Sequence, residues 1–142
     1  MIVPDANLLI YAYDSASPFH VRARTWWEDL LSGTEPVGIP WIVILAFVRL
    51  VTHPTLSENP MTIAQARLAV TAWLSISHVR VLITTPATLD LFFDLLTAAG
   101  TGGNLSTDAM IAALALEHGG CVHSNDRDFG RFDRIPYRNP LS

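Results

Sequence analysis

The sequence contains no lysine, and charged residues of any kind make up only 15% of its 142 residues. The nine basic residues are all arginines and are outnumbered by 13 acidic ones, which leaves a formal net charge of −4. A protein with this balance lacks the broad positive surface by which nucleic-acid-binding proteins attract phosphate. Any contact with a nucleic acid must therefore depend on a local site, and a basic partner peptide would also suit the surface.

Cysteine and long apolar runs are also scarce. Cys121 is the only cysteine, so no intramolecular disulfide can form, and no cysteine–histidine cluster has the spacing of a zinc site. No apolar segment approaches the roughly 20 residues that span a bilayer, and no basic stretch followed by an apolar run precedes the first strand. We expect a soluble, cytoplasmic protein. Its hydrophobic content of 50% favours coverage of part of its surface by a partner.

Short apolar runs alternate with longer segments of helical periodicity, a pattern typical of an α/β domain with a mostly parallel central sheet flanked by helices. Residues 1–142 contain no repeat and no low-complexity linker, so we expect a single domain. The predicted strands are residues 2–5, 37–39, 79–83 and 121–123, with a last one near residue 137. A short helix follows the first strand, and the later helices are predicted to begin at Ser17-Pro18, Pro40, Thr62, Thr85-Pro86 and Ser106.

Four aspartates lie where a parallel sheet would place a site. Asp5 ends the first strand, Asp126 and Asp128 follow the fourth, and Asp108 lies in the first turn of a helix after a glycine-rich loop. Ligands of open parallel sheets collect at the carboxyl ends of the strands, so these acids are expected to converge. Asp108 could instead only stabilise its helix through the helix dipole, and Asp126 and Asp128 could belong to an ordinary turn. Only Asp5 is costly to explain without a partner, because it ends an apolar strand.

Carboxylates gathered in one pocket repel one another, and their pKa values rise unless a cation is present. Magnesium or manganese suits such oxygen ligands, whereas the lack of thiol or imidazole ligands disfavours zinc. A magnesium ion held by a few carboxylates keeps several waters, so it can polarise a phosphodiester and activate a water for its hydrolysis. The pattern therefore predicts a divalent cation site with phosphodiester chemistry.

Several segments spread over nearly the whole chain have an order and spacing that are specific when taken together. They are residues 2–9 (IVPDANLL), 40–41 (PW) with Phe47, Arg49 and residues 52–54 (THP), 103–109 (GNLSTDA), 112–115 (AALA), 123–129 (HSNDRDF) and 137–140 (YRNP). In this order they resemble the PIN-domain ribonucleases, and in particular the VapC-type toxins of VapBC toxin–antitoxin systems. The resemblance implies a three-layer PIN-like α/β fold with a central, mostly parallel sheet between helices.

Carried over position by position, the resemblance makes Asp5, Asp108 and Asp126 the catalytic acids that bind the metal. Asp128 becomes a further metal ligand, acting through a water. Ser124 occupies the position of a small hydroxyl residue near the metal, although a turn residue that satisfies its own backbone is an equal alternative.

The comparison also implies two supporting amides and one departure from the family. Asn7 and Asn104 would orient the acids or the loop, with local backbone hydrogen bonding as their alternative role. Where the family carries a glutamate on the helix after Pro40, this chain has Ala46, and none of its glutamates obviously substitutes. One carboxylate fewer weakens binding of a second cation more than binding of the first.

The function that the resemblance implies is that of a metal-dependent endoribonuclease, a hydrolase requiring Mg²⁺ or Mn²⁺, that acts as the toxin of a type II toxin–antitoxin pair. A water activated by Mg²⁺ would hydrolyse RNA phosphodiester bonds, with transfer or ribosomal RNA as the substrate class and 5′-phosphate and 3′-hydroxyl ends as products. Ala46 favours the alternative of a degenerate PIN domain that binds RNA or antitoxin without cleavage.

The resemblance further implies a homodimer and a VapB-type antitoxin that inserts a segment near the site. Trp26 and Trp27 are adjacent on one predicted helix, so they cannot both lie on the apolar face that packs against the core. One is expected to pack inward, while the other lines the antitoxin groove or the dimer surface or is simply half exposed.

Overall fold

A central sheet of five parallel strands organises the fold. The computed structural model describes residues 1–142, and its strands lie in the order β3-β2-β1-β4-β5. The predicted α/β class is confirmed, and the sheet is parallel throughout rather than mostly parallel. The strands are β1 (Ile2–Pro4), β2 (Val37–Pro40), β3 (Val79–Leu82), β4 (Cys121–His123) and β5 (Tyr137–Arg138).

Six α-helices and two short 3₁₀ helices connect the strands. Parallel neighbours need crossover connections, which are right-handed in nearly all proteins. The connections from β1 to β2 and from β2 to β3 therefore cover one face of the sheet, and the return from β3 to β4 covers the other. The helices are α1 (Ala6–Tyr13), α2 (His20–Ser32), α3 (Trp41–Val51), α4 (Ile63–Leu74), α5 (Pro86–Ala99) and α6 (Ser106–Glu117), with 3₁₀ helices Gly103–Leu105 and Arg127–Arg131.

The chain reverses its direction across the sheet between β1 and β4. From β1 it runs outward through β2 to β3, and then returns to β4 on the opposite side of β1. In the register of this pair, Pro4 lies opposite His123 at the carboxyl ends of the two strands. The segments that leave these ends diverge, and such a reversal point is where open α/β sheets form ligand crevices. The topology thus brings residues 5–7 next to residues 124–126.

Capping signals set the boundaries of two helices as predicted. Thr62 and Gln65 form a reciprocal capping box at the start of α4, and the hydroxyl of Thr85 accepts the N–H of Thr88 at the start of α5. Helix α5 ends at Gly100, whose φ of 76° lies in the left-handed region that favours glycine. These short-range hydrogen bonds are local, which is why the sequence alone predicts them.

The start of α2 is predicted two to three residues too early, whereas Pro40, predicted to open α3, is its N-cap. Helix α2 begins at His20 rather than at Ser17-Pro18, because the Ser17 hydroxyl accepts the N–H of Phe19 in a turn before the helix. Helix α3 begins at Trp41, since Pro40 is still paired with Leu82 as the last residue of β2. A proline at that position already has the φ that the following helix requires.

An aromatic cluster forms part of the core beneath α2. The ring centroids of Trp27 and Trp73 lie 5.4 Å apart, and those of Phe47 and Trp73 lie 4.8 Å apart, distances at which aromatic pairs stabilise a core beyond their buried area. The prediction that one of the adjacent tryptophans packs inward is confirmed. Trp27 is only 2% exposed, whereas Trp26 is half-buried and faces the sheet near His123.

No helix of this fold has both the length and the apolar character that crossing a membrane requires. Cys121, the first residue of β4, is half-buried. Its side chain lines a cavity between α2 and the sheet, and partial burial raises the pKa of its thiol.

Candidate metal centre

Asp5 lies directly after β1, at the carboxyl end of the central strand. Its side chain is 9% exposed, and both of its oxygens are hydrogen-bonded. Oδ1 accepts the N–H of Ala6 at 2.7 Å, which makes Asp5 the N-cap of α1, and Oδ2 accepts the hydroxyl of Ser124 at 2.6 Å. A carboxylate in such a place costs free energy unless it has partners, and these two contacts supply them.

Ser124 is completely buried and joins the two strand ends. Its hydroxyl donates to Asp5 and accepts the N–H of Asp126 at 2.9 Å and the Nδ2 group of Asn7 at 3.3 Å. One oxygen therefore uses its donor and both of its acceptor positions. The geometry holds the carboxylate after β1 and the backbone after β4 in a fixed relation.

Three further carboxylates form a cluster. Ligand oxygens of Asp108, Asp126 and Asp128 all lie within 4.8 Å of one another. Asp108 projects from the first turn of α6, and Asp126 caps the second 3₁₀ helix by accepting the N–H of Asp128 at 2.9 Å. Asp128, predicted to converge with the other acids and to be a further metal ligand through a water, thus places an oxygen beside those of Asp108 and Asp126, whereas Asp5 is more buried and is tied to Ser124.

The electrostatics of the cluster are those of an uncompensated negative pocket. Partial burial, followed by the charges of Asp5, Asp126 and Asp128, raises the pKa of Asp108 to about 7. Burial also raises the pKa of Asp5, although the hydrogen bonds from Ser124 and Ala6 oppose the shift. Each carboxylate thus makes ionisation of Asp108 harder, and a divalent cation would reverse this effect.

The donor set fits a hard divalent cation. Every candidate ligand is a carboxylate oxygen, the ligand type that magnesium, manganese and calcium prefer. The nearest imidazole, that of His123, is directed elsewhere, because its Nδ1 accepts the N–H of Trp26 at 3.1 Å. Burial, and secondarily the charge of Arg138, lowers the pKa of His123 to about 4, so the ring is neutral near pH 7. No sulfur or nitrogen ligand enters the cluster.

The predicted amides differ in their surroundings. Asn7 donates to Ser124, and its Oδ1 lies 3.5 Å from the N–H of Asn125, which it accepts as a long hydrogen bond. Asn104 is exposed and makes no side-chain hydrogen bond within the chain, so it does not orient the acids directly. Asn125, which sequence reasoning missed, accepts the Nδ2 group of Asn139 at 2.9 Å. Its position between Ser124 and Asp126 was the available signal.

No glutamate compensates for Ala46. That residue is half-buried on α3, and its side chain has no oxygen. Glu28 is paired with Arg24 at 2.8 Å, and Glu117 accepts the hydroxyl of Thr88 at 2.8 Å. The cluster is therefore built from aspartates alone.

Known proteins resemble this chain over nearly its whole length. The PIN domain family profile matches residues 2–135. The chain is similar to ribonuclease VapC33 of Mycobacterium tuberculosis, with 37% identity over 141 residues and coverage of 99% of both chains. It is also similar to ribonuclease VapC37 of the same organism, with 39% identity over 140 residues, covering 99% of this chain and 97% of the relative.

Solved structures share the fold at low sequence identity. The sarcin–ricin loop cleaving toxin VapC20 of Mycobacterium tuberculosis superposes with a TM-score of 0.69 at 18% identity, covering 96% of this chain and 99% of that one. VapBC2 of Rickettsia felis, bound to a DNA fragment from its promoter, gives a TM-score of 0.69 at 18% identity and 98% coverage of both chains. The sequence relatives and the shared fold lead to one conclusion: the chain belongs to the PIN-domain family, among its VapC-type members.

Proposed function

We propose that this protein is a metal-dependent endoribonuclease and the toxin of a type II toxin–antitoxin pair, formed by one PIN domain over residues 1–142. The observation that carries the proposal is the meeting of Asp108, Asp126 and Asp128 within 4.8 Å beside the buried Asp5. Such a cluster costs free energy in the absence of a cation. The pKa of Asp108 is raised to about 7, and strongly shifted pKa values are typical of functional sites. The ribonuclease names of the full-length relatives supply the reaction class.

In this proposal Asp5, Asp108 and Asp126 hold Mg²⁺ or Mn²⁺, and Asp128 contributes a further oxygen directly or through a water. When bound, such an ion lowers the pKa of water and stabilises negative charge on a phosphodiester. Ser124 fixes the carboxylate of Asp5 through its 2.6 Å hydrogen bond. The acid therefore keeps its orientation whether or not a cation is bound. The chain needs no nucleophile of its own.

The substrate in this proposal is a structured RNA, such as transfer or ribosomal RNA, cut to leave 5′-phosphate and 3′-hydroxyl ends. The structure of VapC20 is described as that of a sarcin–ricin loop cleaving toxin, which supports this class. The net charge of −4 argues against binding along extended duplexes, because a broad basic surface is missing.

The proposed partners are a VapB-type antitoxin and a second copy of the chain, in the cytoplasm. Several neighbouring structures are toxin–antitoxin complexes. The chain also leaves large apolar side chains exposed, with Trp41 at 60%, Leu45 at 58% and Phe93 at 60%. Exposed apolar surface on this scale is typical of surfaces that a partner covers.

The deciding experiment is cleavage of a panel of cellular RNAs by the purified chain freed of antitoxin, with magnesium, with manganese and with a chelator. Cleavage should require the metal, and Asp108→Asn should lower kcat by a factor of about 100 or more, since a cation ligand and its charge are lost. The exposed Asp133 offers a matched control, and Asp133→Asn should cleave as the wild type does.

Ala46 supports a second candidate, a PIN domain that binds RNA or antitoxin without cutting. The same panel distinguishes the two. Absence of cleavage with either metal, together with retained RNA binding, would establish the binding protein instead. Metal-independent cleavage, or full activity of Asp108→Asn, would exclude the proposed site.

A further inference from the structure

A second cavity opens beside the acid cluster. It has a volume of about 340 Å³ and lies between the loop of residues 101–105 and the 3₁₀ helix Arg127–Arg131. Asp128 lines it and also belongs to the acid cluster. The cavity is therefore a lateral continuation of the candidate metal centre.

Both walls of this cavity belong to segments that carry the acids. The loop leads through Leu105, which is 4% exposed, into α6 and Asp108. The opposite wall is capped by Asp126 and anchored by Phe129, which is 1% exposed. Because a buried residue anchors each wall, the packing of the core sets the distance between the cavity and the acids.

Arg131 is the only basic residue that lines the cavity. It makes no ion pair and no hydrogen bond within the chain, although Asp128 lines the same space. A guanidinium is a planar fork that binds phosphate oxygens in pairs, and this one is left free beside the acids. Asn104, on the facing wall, also has an unengaged side chain with both donors and acceptors.

We propose that this cavity binds one nucleotide of a single-stranded RNA next to the bond that is cut, with Arg131 holding a phosphate and Asn104 contacting the sugar or base. This inference rests on the proposed ribonuclease function. The volume lies at the lower end of ligand pockets, which span about 300–1,000 Å³, so it suits one nucleotide and not a duplex. Single-stranded loops with splayed bases are also the usual targets of specific RNA recognition.

The first test measures binding without cleavage. All variants carry Asp5→Asn, and their affinity for a fluorescent, mixed-sequence, single-stranded RNA dodecamer is measured by anisotropy over a range of salt concentrations. Adding Arg131→Ala should weaken binding about tenfold and lower the magnitude of the salt slope by about 0.7, the value for one phosphate contact on a single strand. The control Arg134→Ala removes the same charge from an exposed position outside the cavity and should change neither quantity. Arg131→Lys should retain the salt slope but lose part of the affinity.

The second test separates binding from chemistry. With an RNA that the wild type cleaves, Arg131→Ala should raise KM about tenfold and leave kcat within about threefold, because the metal ligands are untouched. The dodecamer annealed to its complement should bind more weakly than the single strand and should not respond to Arg131→Ala. Unchanged affinity and salt slope in Arg131→Ala, or an equal loss in Arg134→Ala, would overturn the inference. If the wild type cleaves no RNA, the ribonuclease proposal fails, while the binding test still decides the role of Arg131.

Discussion

The hydroxyl of Ser124 lies 2.6 Å from Oδ2 of Asp5, although 119 positions separate the two residues in the chain. This contact ties the end of β4 to the end of β1 at the point where the sheet topology reverses. The same hydroxyl supports the backbone of Asp126, so a single buried oxygen connects two of the acids. Ser124 therefore holds two acids of the candidate metal centre in a fixed relation from its buried side.

Ser124→Ala should therefore lower both stability and metal affinity. The change leaves Oδ2 of Asp5 without a donor and the N–H of Asp126 without an acceptor, and buried groups left unpaired cost about 1–3 kcal/mol. Urea unfolding of the metal-free protein measures the stability change, and calorimetric titration with manganese measures the affinity. Ser32→Ala is the control, because that exposed hydroxyl donates only to carbonyls of its own helix, those of Glu28 and Asp29, and its loss should change stability by about 0.5 kcal/mol or less. Equal effects of the two substitutions would contradict the role assigned to Ser124.

Asp108→Asn should stabilise the metal-free protein at neutral and higher pH. The pKa of Asp108 is about 7 in the folded chain, compared with an ordinary value of 3.8. Between these values the folded state holds a proton that the unfolded state has released. The stability from this group is therefore fully present below about pH 3.8 and is lost as the pH rises through about 7.

Thermal unfolding in a chelator, followed from about pH 4 to about pH 8, tests this sign. The difference in Tm between Asp108→Asn and the wild type should increase across the window in favour of asparagine, since the amide carries no charge. Asp133→Asn, at an exposed position outside the cluster, is the control and should not reproduce this trend. A Tm difference for Asp108→Asn that stays flat, or that falls with pH, would mean that neither burial nor the neighbouring acids raise the pKa of Asp108.

A divalent cation should raise the Tm of the wild type, and more strongly at about pH 8 than at about pH 5.5. Binding competes with the proton on Asp108, whose pKa is about 7, so affinity increases as that proton is lost. At a manganese concentration 100 times the dissociation constant, the expected gain is about 2.7 kcal/mol. Differential scanning calorimetry with and without manganese measures it. Asp108→Asn should lose most of the stabilisation by manganese, whereas Asp133→Asn should lose none of it. Stabilisation of equal size in all three proteins would indicate that manganese binds elsewhere.

His123 should remain neutral with its proton on Nε2 throughout the physiological range. Its Nδ1 accepts the Trp26 N–H, and burial lowers its pKa to about 4. Nitrogen NMR of the ring should report this single tautomer down to about pH 5. Trp26→Phe removes the donor and should destabilise the fold by about 0.5–1.5 kcal/mol while allowing the other tautomer. Titration of His123 near pH 6.5 in the wild type would contradict the geometry.

Local patterns were sufficient for much of the fold. The capping residues Thr62 and Thr85 act on N–H groups three positions away, so their helices could be predicted without knowledge of the rest of the chain. The aspartates that follow strands could be predicted to converge because the carboxyl ends of parallel strands share one edge of the sheet. Ser17-Pro18 was misleading, because a turn uses the same residues as a helix start.

The sequence by itself determined that Asp5 and Asp126 follow strands and that Asp108 lies in the first turn of a helix, and hence the identity of these three residues as candidates. Periodicity and capping are encoded within a few neighbouring residues. Only the tertiary structure decided that an oxygen of Asp128 lies within 4.8 Å of those of Asp108 and Asp126, that Ser124 donates to Asp5 and that Arg131 faces a cavity beside them. These relations depend on side-chain directions and on packing between segments far apart in the chain, and no local pattern specifies them.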